Sequence, residues 1–237
     1  MLMRKPIYLA LDFEDFQTAD QFLIKHQLTD VPVKVGMELF YREGPDVIKR
    51  LRARNQDVFL DLKLHDIPTT VYKAMKNIAK LDVQMTNVHA LGSAEMIKRA
   101  KEGLIEGSTS NVADLIAVTI LTSHNDQTLR DELKLNQTVD ETVIDLAALA
   151  KQNGADGVVC SALEVPKIKA RFGQEFLTVT PGIRLTDTNV NDQQRIATPE
   201  LAKKNGADYL VIGRSITQSE NPRQQYLKAW EAVNRDI

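Results

Sequence analysis

The chain has 237 residues, 43% of them hydrophobic, and its 30 Lys and Arg against 32 Asp and Glu give a formal net charge of -2. That balance excludes the strong basicity of a nucleic-acid or membrane-surface binder, and the apolar fraction suffices for a sizeable core. The single cysteine, Cys160, excludes an internal disulfide, and the apolar run before Asp12 is too short for a signal peptide or a membrane span, so the expected setting is the cytoplasm.

In chain order, the first predicted strand is "IYLALD" (7–12), followed by the amphipathic stretch "DFQTADQFLIKHQ". Strand candidates then recur as "VPVKVGM" (31–37), "DVFLDLKL" (57–64) and "VQMTNVH" (83–89), with helical patterns in "VYKAMKNIAKL" and "SAEMIKRAKEGL". The second half carries "DLIAVTIL" (114–121), "GVVCSA" (157–162), "FLTVTPGI" (176–183) and "YLVIGRSI" (209–216), with "VIDLAALAKQNG" ahead of the sixth strand. Strands alternating with helices through short connections imply parallel pairing. Eight such units predict an α/β fold of the (β/α)8 TIM barrel type, one domain spanning 1–237. An open doubly wound sheet is the competing topology. It is weakened by "ALDFED", which stands where a glycine-rich turn would follow the first strand.

A faint repeat links "KQNGADGVVCSA" (151–162) with "KKNGADYLVIGRS" (203–215); both read as a helix end, a glycine turn and a strand. The polar stretch 184–199 between the last two strands reads either as a mobile lid or as a solvated loop.

The third strand carries an anomaly. Asp61 and Lys63 interrupt an apolar run, and His65 and Asp66 follow. A buried charge costs several kcal/mol unless it is paired. Residues i and i+2 of a strand share a face, so Asp61, Lys63 and His65 point one way while Leu60, Leu62 and Leu64 point the other. In a barrel the leucines suit the helix side, and the charged set lines the axis near the C-terminal mouth, where barrel enzymes place their active sites. Polar residues recur at the same level elsewhere: Asp12, Lys34, His89, Thr122, Arg184, Gly213 and Arg214.

Each residue also has a structural explanation. Asp61 and Lys63 can be a simple ion pair, Asp12 a cap of the first helix, and Lys34 a snorkelling surface lysine. His89 reads as a core histidine, Asp66 as a cap ahead of Pro68, Arg184 and Arg214 as surface charges, and Cys160 as inert core. The glycines and arginines of "PGIR" and "IGRS" nevertheless suit a phosphate, which barrels often bind with the loops after strands seven and eight. Arg214 adds a bidentate, charge-assisted contact. The expected ligand is a phosphorylated small molecule. Metal is not expected, because two lysines interleaved with the carboxylates repel a cation.

Asp61-x-Lys63-x-x-Asp66, continued as Ile67-Pro68-x-Thr70, resembles the signature of the orotidine 5'-phosphate decarboxylase family, bacterial type. The resemblance runs through most of the chain, in "LALDF", "KVGMELF", "NVHA", "VTILTS", "TPGIRL", "DQQR" and "IGRSIT". No signature position departs from it, and the segment 123–140 adds nothing to it. The short Asp-x-Lys-x-x-Asp core also occurs in the Mg²⁺-using 3-keto-L-gulonate 6-phosphate decarboxylase group; the His65 to Pro68 continuation favours the orotidylate enzymes.

The resemblance implies decarboxylation of orotidine 5'-monophosphate to uridine 5'-monophosphate in pyrimidine biosynthesis, without a cofactor. It implies that Lys63 protonates C6, that Asp61 sits against the substrate carboxylate and holds Lys63, and that Lys34 binds the ribose and extends the charged chain. Asp12 would hold a ribose hydroxyl and Thr122 the pyrimidine edge. Gln193, Arg214 and the Gly213 backbone would grip the phosphate, with Arg184 nearby. It further implies a homodimer with shared sites, in which Asp66, Ile67 and Thr70 serve the neighbouring subunit's substrate. Two other functions compete: a Schiff-base aldolase, and a phosphate-ligand binding protein without catalysis.

Overall fold

The computed structural model describes residues 6–185 and 195–234. Eight parallel strands close into a barrel in sequence order: β1 (Ile7–Ala10), β2 (Val33–Gly36), β3 (Val58–Leu64), β4 (Met85–His89), β5 (Asp114–Val118), β6 (Gly157–Val159), β7 (Leu177–Thr180) and β8 (Tyr209–Ile212). Closure is made by β1 on β8, with Tyr8 opposite Val211. The open doubly wound alternative is thereby excluded. Most of the strands stop one to three residues short of the apolar runs that predicted them. The remaining residues, such as Leu11 and Asp12 or Cys160 to Ala162, continue past the ladder towards the mouth.

Alternation sorts the side chains into two cores, as period-2 geometry requires. Tyr8, Phe59, Met85, Ile116, Val179 and Val211 fill the barrel interior. Val33, Val35, Leu60 and Leu62 face outward into the larger layer between strands and helices. The two helices after β3 and β4, Pro68–Ala79 and Ala94–Gly107, pack closely because Gly103 and Gly107 lack side chains. An added Cβ at either would stand 2.3 Å from a carbonyl oxygen of Tyr72 or Lys76.

The internal repeat has a physical function at the N-terminal end of the barrel. In its first copy, Asp156 Oδ2 accepts from Leu115 N–H at 2.7 Å and from Lys101 Nζ at 2.6 Å. In the second, Asp208 Oδ2 accepts from Thr178 N–H at 2.7 Å and from Lys169 Nζ at 2.5 Å. Each aspartate, standing just ahead of its own strand, thus satisfies the backbone of the strand one place earlier and pairs with a lysine of the helix ahead of that strand. The glycines before them, Gly154 and Gly206, sit at φ 89° and 88°, a left-handed turn that their missing Cβ permits.

Segment 123–140, which offered no pattern to the resemblance, contains the short helix Asp126–Asp131. Asn125 caps it, and Thr138 with Glu141 forms a capping box at the start of the next helix, Val139–Gln152.

Candidate active site

A cavity of about 320 Å³ opens at the C-terminal mouth, within the size range of small-molecule sites. Its floor is the apolar interior: Ala10, Phe59, Val159, Val179 and Val211. On one side stands a chain of alternating charges drawn from three loop or strand ends. Lys34 Nζ lies 3.1 Å from Asp12 Oδ1 and 3.4 Å from Asp61 Oδ2, and Lys63 Nζ lies 2.6 Å from Asp61 Oδ1. Pro181, Gly182, Arg184, Gly213 and Arg214, beyond the ends of β7 and β8, form a second wall that meets the first where Gly213 adjoins Asp12, and Thr122 and Ser123 form a third.

Lys34 reaches this position because β2 alternates. Val33 and Val35 face the helices, so Lys34 faces the axis and is buried rather than snorkelling outward. Burial by itself would push its ammonium pKa down, but the Asp61 and Asp12 carboxylates outweigh burial and hold it above the usual lysine range. Burial would likewise raise the Asp61 carboxyl. Lys34 and Lys63, with hydrogen bonds from Lys63 and Asn87, hold it below the usual carboxylate range. Asp12 does not cap the first helix; Asp15 does, accepting from Thr18 N–H at 2.7 Å.

The backbone of β3 is irregular at this point. Leu60 pairs with Thr86 and Leu64 with Val88, so three residues of β3, Asp61 to Lys63, face the single residue Asn87 on β4. This bulge leaves Lys63 at φ 51°, a left-handed conformation that costs a β-strand lysine of order 1–3 kcal/mol. The Lys63 N–H is not left unmatched: it donates to Asn87 Oδ1 at 2.7 Å. The same amide donates through Nδ2 to Asp61 Oδ1 at 2.7 Å.

Of the residues singled out from sequence, Asp12, Lys34, Asp61, Lys63, Thr122, Arg184, Gly213 and Arg214 line this one cavity. Asp66, Ile67 and Thr70 do not; all three are exposed at the start of the helix Pro68–Ala79, and Ile67 is 67% exposed. Asp66 accepts from Ile67 N–H at 2.6 Å, but the capping position itself is held by Ile67 without a side-chain bond. Gln193 lies outside the described residues, as does most of the 184–199 stretch. His65 does not share the inward face with Asp61 and Lys63. The bulge turns the strand, and His65 is exposed with its ring 5.6 Å from that of His89. His89 is half-buried off the cavity; burial, then His65 and Lys63, hold its pKa below the usual histidine value. Cys160 lines the cavity floor yet is 1% exposed, and burial pushes its thiol up to about 12, so it is no nucleophile.

Two roles escaped the sequence. Asn87, in "NVHA", and Arg195, in "DQQR", carried the resemblance without an assigned part. Arg195 forms a buried pair with Glu164 and donates through Nη2 to the carbonyls of Ile120 and Leu121, at 3.1 and 2.9 Å. It thereby ties the end of the 184–199 stretch to the wall that carries Thr122. The base of that stretch is closed by Arg184 N–H donating to Ala197 O at 2.9 Å.

No helix among the described residues is long and apolar enough to cross a membrane, and no group of three or more His, Cys, Asp or Glu among them is placed to hold a metal.

Comparison with known proteins places this arrangement. The chain is 49% identical over 236 residues to orotidine 5'-phosphate decarboxylase of Bacillus cytotoxicus, covering 98% of this chain and 99% of that one. Its fold matches the crystal structure of orotidine 5'-phosphate decarboxylase from Lactobacillus acidophilus with a TM-score of 0.88 at 45% identity, over 98% of this chain and all of that one. An uncharacterized conserved protein from Geobacillus kaustophilus matches with a TM-score of 0.86 at 43% identity, over 97% of this chain and all of that one. A family model matches residues 5–229, and the chain belongs to the orotidine 5'-phosphate decarboxylase / HUMPS family.

Proposed function

We propose that the protein decarboxylates orotidine 5'-monophosphate to uridine 5'-monophosphate, the pyrimidine-forming reaction named in its relatives. The observation that carries this reading is the ion chain Asp12–Lys34–Asp61–Lys63 at the barrel mouth, lining one cavity with Arg184, Gly213 and Arg214.

The chemistry demands such a chain. Heterolysis of the bond between C6 and the carboxylate leaves the electron pair on C6 as carbon dioxide departs, with no adjacent electron sink. A fixed ammonium aimed at that carbon stabilises the developing charge without reorganisation. In this mechanism Lys63 supplies the ammonium and then its proton, forming the C6–H bond, and recovers a proton from solvent. Asp61, held on both oxygens, orients the Lys63 ammonium while it abuts the substrate carboxylate. Lys34 and Asp12 take the ribose hydroxyls. Thr122 meets the base edge. Arg214, with the Gly213 backbone and Gln193, holds the phosphate, and Arg184 adds charge beside it. Binding the remote phosphate contributes free energy that orders the reacting end.

The same reading assigns Asp66, Ile67 and Thr70 to the neighbouring subunit of a homodimer. Their exposure outside their own cavity supports it, as does a two-thirds exposed isoleucine that a partner would cover.

The test is the loss of orotidylate ultraviolet absorbance with purified protein, with and without chelator, and with Lys63→Ala. Turnover that survives chelator and falls by about 1,000-fold or more in Lys63→Ala is expected. Activity that vanishes with chelator and returns with Mg²⁺ would instead favour keto-sugar-phosphate chemistry. Borohydride trapping of substrate on a lysine would favour an aldolase. Nucleotide binding without turnover by the parent protein would leave a binding function.

A further inference from the structure

We infer that Asn87 is a positioning residue for the decarboxylation, acting through both Asp61 and Lys63 by clamping them with one side-chain amide; this rests on the function proposed above. Three observations converge on it. Asn87 is fully buried and does not line the cavity, so it cannot contact substrate. Its Nδ2 donates to Asp61 Oδ1 at 2.7 Å, the same oxygen that receives Lys63 Nζ at 2.6 Å. Its Oδ1 accepts from Lys63 N–H at 2.7 Å, in the one place where β3 has three residues against one on β4.

The amide is suited to this place in a way no other side chain of its size matches. It must offer a donor to a carboxylate and an acceptor to a backbone N–H at the same time. A flipped amide would set an acceptor against the carboxylate and a donor against the N–H, so the two contacts fix its orientation together. In the bulge the ladder provides no carbonyl for Lys63 N–H, and Asn87 replaces it. With the left-handed φ at Lys63 its ammonium rests on Asp61 Oδ1, 2.6 Å away. Asn87 therefore sets both ends of the reacting pair: the backbone from which Lys63 springs and the carboxylate on which its ammonium rests.

The test uses two variants of the full chain. Asn87→Ala removes both contacts, and kcat is expected to fall about 10- to 100-fold, the range for a modest misplacement of a reacting group, with KM within about threefold of the parent. Asn87→Asp is nearly isosteric and guards against a variant that fails to fold. It keeps the acceptor for Lys63 N–H but sets a second carboxylate against Asp61, beside the ammonium groups of Lys63 and Lys34 and the titratable ring of His89. Two carboxylates at one site hold a proton between them, so kcat in Asn87→Asp is expected to fall with rising pH where the parent's does not. The inference is overturned if Asn87→Ala keeps kcat within about twofold of the parent, if its loss lies in KM alone, or if the Asn87→Asp profile parallels the parent's. An inactive parent would overturn the proposed function instead. The clamp is then read from a crystal structure of Asn87→Ala: Lys63 should leave its left-handed φ, and an unchanged Lys63–Asp61 contact overturns the inference.

Discussion

The Lys34 ammonium passes over Gly36, two residues along its own strand, so closely that a Cβ added there would stand 2.9 Å from Nζ and 3.5 Å from Asp12 Oδ1. Gly36 has φ -92°, which any residue adopts, so its glycine is there for space and not for backbone freedom. Gly36→Ala should leave the fold intact, because the crowded atom is the end of a flexible side chain. The ammonium must nevertheless shift off Asp12 or Asp61. We expect kcat/KM to fall about tenfold or more, with thermal unfolding changed by only a few degrees, about 1 kcal/mol. Steady-state kinetics beside a melting curve checks this; unaltered kcat/KM would show that the ammonium has room to spare.

Lys169 makes the opposite prediction, for stability without activity. Its ammonium is buried at the N-terminal end of the barrel, donating to Asp208 and to the carbonyls of Gln174 and Phe176 at 3.0 and 2.9 Å. Removing one member of a buried pair strands the other charge. Lys169→Met should therefore cost about 3–5 kcal/mol in chemical denaturation. The end of the barrel opposite the mouth contributes stability rather than chemistry, so kcat/KM of the folded variant should stay within about twofold. A loss below about 1 kcal/mol would mean that the pair is not the anchor its geometry indicates.

The pH dependence of stability follows from three groups. Asp61 has a lowered pKa, so its contribution is present above the unfolded value of about 3.9 and is lost as pH falls through the folded value below it. Lys34 has a raised pKa, so its contribution is present below about 10.4 and is lost only as pH rises through a still higher folded value. His89 has a lowered pKa. Below about pH 6.5 the unfolded chain binds a proton that the folded chain refuses, and stability declines from there downward. Denaturation midpoints from pH 5 to 8 should thus slope downward on the acid side, and the slope should be shallower in His89→Gln. Identical slopes in parent and variant would remove His89 from the account.

Shared active sites can be tested by complementation. If each site draws Lys63 from one chain and Asp66 from the other, as proposed, a mixed dimer of Lys63→Ala and Asp66→Ala subunits should contain one competent site and one doubly defective site. Tandem purification of differently tagged subunits, followed by the absorbance assay, should recover activity that neither homodimer shows. A mixed dimer as inactive as its parents would place Asp66 outside the partner's site.

Much of this architecture was legible before folding. The inward set Lys34, Phe59, Asp61 and Lys63 and the outward set Val33, Val35, Leu60 and Leu62 follow from period-2 alternation alone. The "NGAD" repeat was visible as a pattern, but its purpose was not. Only the barrel brings Asp156 to Leu115 and Asp208 to Thr178, at separations of 41 and 30 residues. Strand ends were overestimated because apolar residues continue beyond the ladder into the mouth, where hydrogen bonding and not hydrophobicity decides where a strand stops. The helix Asp126–Asp131 was missed, although its caps at Asn125 and its neighbour's at Thr138 are local signals.

What the sequence by itself determined are the properties set by nearest neighbours: eight strands, their buried faces, the turns between them, and an acid and a lysine on the inward face of β3. Their cause is short-ranged, since a pleated backbone points every second side chain the same way. Tertiary structure alone decided the rest. It set Lys34 between Asp12 and Asp61, across strands 22 and 27 residues apart in the chain. It opened β3 into a bulge that turns His65 outward and Lys63 back upon Asp61, and it put Asn87 opposite that bulge. Closing a barrel fixes which strands are neighbours and how far each is staggered, and that arrangement, which no single strand's alternation encodes, selects the partner of each buried charge.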